Sequence, residues 1–468
     1  MHTTRGILVR TFKTGLNSRV TAVMGSQWGD EGKGKLADVL AKNYDIVGRF
    51  NGGANAGHTV VANNKKYSFH ILPCGLIYPH TQNILGNGTV IHIPQLYKEL
   101  EPLDEDGIDW RGRLKISDRA HILFDFHQTI DCILENRRTN KGGIGTTKKG
   151  IGPAYSSKAN RINLRFGMIK HWSSFVKYLR STIEAHQLMY DFEYDTQAEI
   201  YKYETYRDQL LSDEMGGGTG SGGCIIDGVH YINQKYNEGK NIITEGANAA
   251  MLDIDFGTYP FVTSSSTTAG GISTGMGLSP NKIECVIGVV KAYTTRVGSG
   301  PFPTELTDHL CGGDIQPGSP GTDIGRHLQN VGCEIGVTTK RKRRCGWIDI
   351  PLLRYTNMIN NYSSLNMTKL DVLDDLDEVR IGVAYTINGQ RLLPGQMPST
   401  LEELTSVEVE YETMPGWKQS IRGCKTFDDL PAAAKSYVSR VENLVGCPIT
   451  WIGTGIGRED MITKGFSM

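Results

Sequence analysis

The 468 residues carry 50 basic and 50 acidic side chains, so there is no net field to gather nucleic acid or an anionic membrane, and any anion site must be built locally. No apolar run approaches the roughly 20 residues of a membrane span, and nine scattered cysteines without a C-x-x-C pair argue against a zinc site or a disulfide framework. The expectation is a large α/β enzyme with a sizeable core, soluble, with reduced thiols and cytoplasmic.

Met1 to Arg19 holds Arg5, Arg10, Lys13 and Arg19 with threonines and no acid. This is short and weakly amphipathic for a transit peptide, and residues 1–19 are expected to form a basic, flexible extension ahead of one α/β domain over residues 20–468. The stretch from Val20 to Lys35, V-T-A-V-M-G-S-Q-W-G-D-E-G-K-G-K, then dominates the chain. A β-rich run, Val20 to Met24, feeds a loop with Gly25, Gly29, Gly32 and Gly34, and the apolar-periodic Leu36 to Ala41 follows. Strand, glycine loop and helix in that order cradle phosphate with backbone N–H groups, the helix dipole and the charge of Lys33.

The loop is not a standard Walker A, because six residues rather than four separate Gly25 from Gly32, and Gly34 stands where a hydroxyl residue belongs. Asp30 and Glu31 lie inside the cradle instead. A carboxylate there repels a nucleotide unless it binds Mg²⁺ or serves as a base, which makes Asp30 the catalytic candidate.

Asp45 to Phe50 reads as a second strand ending in N-G-G-A-N-A-G-H, Asn51 to His58. Two glycine-rich strand ends so close in sequence suggest two walls of one crevice, with His58 at its lip. Tyr67 to Leu76 and Gln82 to His92 read as strands, Ile93 to Leu100 and Phe124 to Arg137 as helices. Lys141 to Tyr155 is a third glycine cluster, whose Thr146 and Thr147 suit phosphate or carboxylate contacts. Phe166 to Leu211 has helical spacing and many tyrosines, expected to pack rather than to stack on bases. Met215 to Gly223, M-G-G-G-T-G-S-G-G, reads as a mobile linker.

Asn241 to Glu245 is a predicted strand opening into the small and hydroxylated residues of Gly246 to Gly271, a composition for close backbone approach to a polar ligand. Ile283 to Tyr293 reads as a buried parallel strand. In Thr338 to Arg344, T-T-K-R-K-R-R, five adjacent cations form either a solvated basic turn or a grip on carboxylates. Met367 to Asp371, M-T-K-L-D, offers a carboxylate two residues after a lysine. It could accept the paired N1–H and N2–H of guanine while the lysine stem covers the ring, and adenine has no such pair of donors. A last strand, Ile449 to Ile452, ends in G-T-G-I-G-R, Gly453 to Arg458.

With Gly25 to Lys35, Asn51 to His58, Ile144 to Tyr155, Glu245 to Gly271, Thr338 to Trp347 and Thr368 to Asp374 in this order, the chain from about Val20 onward resembles the adenylosuccinate synthetase family. The resemblance implies a large, mostly parallel central sheet flanked by helices, P-loop-NTPase-like, with helical and loop subdomains. It also implies GTP-dependent ligation of IMP and L-aspartate through a 6-phosphoryl-IMP intermediate, with Mg²⁺, in a homodimer. The other readings weighed are a GTP-binding switch and a small-molecule GTP phosphotransferase.

By the same resemblance Asp30 and His58 are catalytic, and Asp30 with the Gly57 carbonyl binds Mg²⁺. Gly29, Glu31, Gly32, Lys33, Gly34, Lys369, Asp371, Gly453, Thr454 and Gly455 surround GTP. Asp30, Asn55, Thr146, Thr147, Asn248, Thr263 and Arg343 take IMP, with Arg161 arriving from the second subunit. Thr338, Thr339 and Arg341 hold aspartate. Asn248 replaces a glutamine common in relatives, Lys340 a glycine and Gly453 a serine.

Overall fold

The computed structural model describes residues 18–54, 57–62, 65–139, 143–218, 220, 222–306, 320–336 and 342–465. Ten strands form one sheet: β1 Val20–Gly25, β2 Ile46–Arg49, β3 Gln82–Leu85, β4 Leu114–Ser117, β5 Ile225–Ile226, β6 Ile242–Ala249, β7 Cys285–Lys291, β8 Ser364–Thr368, β9 Ile449–Gly453 and β10 Met461–Thr463. Their spatial order is β10-β9-β8-β7-β1-β6-β2-β3-β4-β5. Neighbours are parallel except for the antiparallel pair β9 and β10. The α/β class and the mostly parallel sheet follow the expectation.

The sheet is covered on both faces, which is why its strands read as near-continuous apolar runs. Val20, Ala22 and Met24 of β1 join one hydrophobic cluster and Val23 another. Along β7, Val286 and Val290 alternate in the same way with Cys285, Ile287 and Val289. Helix α1, Lys33–Ala41, packs Leu36, Ala37 and Leu40 into the second cluster.

Helices α2 Ile93–Glu105, α3 Asp125–Thr139, α4 Ile151–Ala159, α5 Trp172–Tyr190 and α6 Thr196–Leu211 follow, the last two forming the expected helical excursion. Its aromatic residues are largely packing: Tyr203 is buried, and Tyr206 stacks on Tyr97 with ring centroids 5.3 Å apart. Among the described residues no helix is long and apolar enough to cross a membrane.

Four local expectations change. Tyr67 to Leu76 is not one strand; Lys65–Phe69 pairs antiparallel with His58–Ala62, and a 3-10 turn, Cys74–Ile77, follows. At Gly75 a Cβ would lie 2.3 Å from Val47 Cγ2, so the turn rides directly on β2. Gln82 to His92 divides into β3 and the short strand Val90–His92.

Met215 to Gly223 is not a free linker where it is described. Met215 is buried and accepts a bond from the Gly112 amide at 3.2 Å, and the Cys224 amide donates to Leu210 O at 3.0 Å. Gly112 and Gly217 pass so close that a Cβ on either would stand 2.9 Å from the other's Cα, so the glycines serve backbone packing. Finally, Ser18 is buried, the Arg19 carbonyl accepts from Ile242 N at 2.7 Å, and the Arg19 guanidinium lies 4.4 Å from the Tyr236 ring centre. These two residues dock on the sheet rather than belonging to an extension, and residues 1–17 lie outside the described set.

Candidate active site

Strand β1 is the switch point of the sheet. The chain leaves it for β2, on one side, and later places β7, β8, β9 and β10 on the other. Loops beyond the carboxyl end of such a strand face a crevice, and here the loop Ser26 to Gly32 enters it.

Side chains and backbone fix that loop. Ser26 N donates to Val289 O at 2.9 Å. Gln27 accepts from Lys291 N at 2.9 Å and donates to Tyr293 O at 3.2 Å, and Thr368 Oγ1 donates to Glu31 O at 2.6 Å. The opposite wall is tied to β6 by Asn51, whose amide accepts from Ala247 N at 2.8 Å and donates to Ala247 O at 3.3 Å. Of the second glycine-rich loop, Gly57 lines the same crevice as Gly29, Asp30 and Gly32 of the first.

The crevice is a cleft of about 970 Å³. It gathers Gly29, Asp30, Gly32, Lys33, Gly34, Gly57, Thr147, Asn248, Arg343, Lys369, Asp371, Gly453 and Gly455 from the sequence-derived set. Asp30, Asn248 and Lys369 have φ of 61°, 63° and 57°. Left-handed backbone is uncommon for non-glycine residues, and such strain clusters at functional sites.

Other candidates fall elsewhere. The Glu31 side chain, expected beside phosphate, is turned inward: Oε1 accepts from Gln27 N at 3.0 Å and Gly29 N at 2.8 Å, and Oε2 from Lys33 Nζ at 2.9 Å. Thr454 is fully buried behind the wall, its amide on Asp460 O at 3.0 Å. Thr146 and Thr263 do not line the cleft, although Thr263 N donates to the cleft-lining Leu252 at 2.8 Å. Arg161 is exposed on the surface with φ 63°, also off the cleft. His58 opens the strand that follows Gly57. Asn55, Thr338, Thr339, Lys340 and Arg341 lie outside the described residues.

The charged groups form a chain. Asp30 Oδ2 accepts from Arg343 Nε at 2.8 Å, and Arg343 Nη1 donates to Glu334 Oε2 at 2.7 Å. Glu334 Oε1 accepts from Lys291 Nζ at 2.9 Å, from Lys369 Nζ at 2.8 Å and from Tyr293 Oη. Burial opposes ionisation of Glu334, but Lys291, Lys369 and Arg343 outweigh it and hold the carboxyl well below its ordinary range. Burial raises the Asp371 carboxyl, against the charge of Arg422.

Across the cleft, Asp38 takes Arg458 on both oxygens, Nη2 to Oδ1 at 2.7 Å. Lys35 donates to Asp460 O at 2.8 Å and Gly455 O at 3.0 Å, fastening the last loop to α1. Glu334, Lys291 and Asp38 belong to none of the glycine-loop, basic-run or M-T-K-L-D motifs, while Lys35 and Arg458 close two of them, Gly25 to Lys35 and Gly453 to Arg458, without having been singled out. The one available signal was the basic run near Arg343, which needs a counter-charge once buried.

A phosphate loop at the switch point of a parallel sheet, facing a lysine and a carboxylate suited to a purine base, defines a nucleotide-dependent enzyme. A family model described as adenylosuccinate synthetase matches residues 22–462. The adenylosuccinate synthetase of Paramecium tetraurelia is 50% identical over 96% of this chain and 98% of its own length, and that of Schizosaccharomyces pombe 49% identical over 96% and 97%. A solved structure described as fully ligated adenylosuccinate synthetase from Plasmodium falciparum superposes with a TM-score of 0.86 at 44% identity, covering 96% of this chain and 100% of that one. The chain belongs to the adenylosuccinate synthetase family.

Proposed function

We propose that this chain joins IMP and L-aspartate at the expense of GTP, giving adenylosuccinate, GDP and phosphate. The supporting observation is the meeting, in one cleft, of the Lys33 loop, the Asp30 carboxylate and the Lys369 and Asp371 side chains. At about 970 Å³ the cleft is at the upper end for small-molecule sites, in keeping with more than one ligand, whereas a switch needs only its nucleotide.

In this reading Asp30 takes the N1 proton of IMP as O6 attacks the γ-phosphorus; the O6–P bond forms and the bond to GDP breaks. His58 donates to oxygen as charge gathers there. The aspartate amine then attacks C6, the C6–N bond forms, and phosphate leaves with O6. Phosphorylation turns a poor leaving group into a good one and divides one hard substitution into two steps. Asp371 accepts from guanine under the Lys369 stem. Thr147 and Asn248 take IMP with Asn55, Thr146 and Thr263, while Arg343, Arg341, Thr338 and Thr339 serve IMP and the aspartate carboxylates. Arg161 completes the site of a second copy in a homodimer.

Among the described residues no three His, Cys, Asp or Glu are grouped to hold a metal. Mg²⁺ needs no such cage, since it is commonly held by one or two carboxylates with substrate phosphates, and Asp30 with the Gly57 carbonyl, both residues lining the cleft, fits that donor set. When bound, the ion would neutralise charge on the transferring phosphate.

GDP release should require both IMP and aspartate; turnover with either omitted overturns the ligase reading in favour of a switch or a phosphotransferase. Asp30→Asn should cost ~10²–10⁴-fold in kcat, the range for a lost general base, with GDP affinity by calorimetry little changed.

A further inference from the structure

The Glu334 side chain is wholly buried and does not line the cleft, yet it touches four side chains from three segments of the chain. One oxygen receives Lys291 of β7, Tyr293 beyond it and Lys369 beyond β8; the other receives Arg343, which passes on to Asp30. The main chain reinforces the hub: Glu334 N donates to Gln329 O at 2.8 Å, and Arg343 N donates to Glu334 O at 2.9 Å. Lys369 is held further by its bond to Gly332 O.

Buried charge is expensive, and an apolar cluster of this volume would often be as stable. A carboxylate shared among three cations therefore needs a reason beyond stability. Its geometry supplies one, because its two oxygens divide between the lysine assigned to the base and the arginine that grips the acid.

We propose that Glu334 is a positioning residue that couples the base pocket at Lys369 and Asp371 to the Arg343 and Asp30 pair, so that base binding and proton abstraction share one anchor. The proposal rests on the ligase reading for the roles of those residues. When a purine base displaces or straightens Lys369, the shift reaches Arg343 through one rigid carboxylate rather than through a flexible loop.

The test uses variants that conserve net charge. Lys291, Lys369 and Arg343 against Glu334 and Asp30 sum to plus one. Lys291→Met with Glu334→Gln leaves Lys369 and Arg343 against Asp30, again plus one. The field at the cleft is kept, no buried lysine is left unpaired, and only the anchor is lost.

Expected are a kcat reduced ~100-fold, the cost of roughly 1 Å misplacement of reacting groups, and GDP affinity by calorimetry weakened ~10-fold. Outer partners of metal ligands show losses of this size. Lys291→Met alone, which leaves Lys369, Arg343 and Tyr293 on Glu334, should remain within ~3-fold in both. Tyr385→Phe, which removes a buried bond to Asp349, neither residue lining the cleft, should change the melting temperature and neither constant.

Parent-like constants in the double variant overturn the proposal, and so does an equal loss in Lys291→Met alone. Should the double variant not accumulate folded, Glu334→Asp keeps the charge with a shorter reach; it should show the same joint loss, and parental values there also overturn the proposal. A parent enzyme that releases GDP without IMP or aspartate would instead defeat the ligase reading, while the calorimetric arm would still test the anchor.

Discussion

Asp30 and Glu31 are neighbours in sequence with opposite fates. In the sequence, a carboxylate among phosphate-binding amides is expected to bind a metal or act as a base, which would place both acids in the cleft. A third solution is the one Glu31 takes: it stays off the cleft lining and neutralises Lys33 from behind while clamping the Gln27 and Gly29 amides. Gly25 follows from this, since a Cβ there would stand 2.5 Å from Glu31 Oε2 and 2.8 Å from Ala249 Cβ; the glycine makes room for the clamp. No pattern in D-E-G-K says which acid faces in, because the answer depends on how the loop turns to bring the Gln27 and Gly29 amides and Lys33 onto one carboxylate. Glu31→Gln must set an NH₂ group against either amide donors or the Lys33 ammonium. Removing one member of a buried ion pair costs about 3–5 kcal/mol, so urea unfolding should show a loss near 3 kcal/mol with weaker GDP binding. An unchanged unfolding midpoint would show that the clamp contributes nothing.

The central strands were legible because burial on both faces leaves long apolar runs, as in β1 and β7, and because glycine loops mark their carboxyl ends. The segments misread are those where packing overrides composition, as at Gly75 and Gly217. Capping was less legible still. The helix Ile350–Asn360 begins at Asp349, whose Oδ1 accepts from Leu352 N at 3.1 Å while Oδ2 accepts from Tyr385 Oη. Acidic N-caps are ordinary, but this one is fully buried, and burial pushes its carboxyl up to about 7 despite the bonds from Tyr385 and Leu352. The folded protein therefore keeps a proton that the unfolded chain, with an ordinary value near 4, gives up. This element loses stability as pH rises from about 4 to about 7. Asp349→Asn keeps an acceptor for the helix and cannot ionise. Its stability advantage over the parent should grow by ~3 kcal/mol between pH 5 and pH 8; urea titrations with the same difference at both pH values would refute a protonated cap.

At the scale of the whole molecule, the cleft draws on residues from Trp28 to Met461, so the sheet order, rather than any one motif, brings the parts together. Most of the motif residues converge there, which is why an ordered set of short patterns told more than each pattern alone. Arg161 is the informative exception. It follows α4 on an exposed, left-handed turn, its amide on Lys158 O at 3.1 Å, and its place outside the cleft of its own chain is what a residue donated to a second copy would have. If each site combines Asp30 of one chain with Arg161 of the other, then Arg161→Leu and Asp30→Asn should each be nearly inactive alone. In a freely exchanged equal mixture about half the dimers are hybrids, and in each hybrid one site receives both intact residues while the other receives both defects. Activity should therefore return to about one quarter of the parent value per site. If Arg161 acts only within its own chain, or only for folding, hybrids contain no complete site and mixing restores nothing. Subunit exchange followed by native mass spectrometry, alongside the ligation assay, separates these outcomes, and exchange without recovery would remove Arg161 from the site.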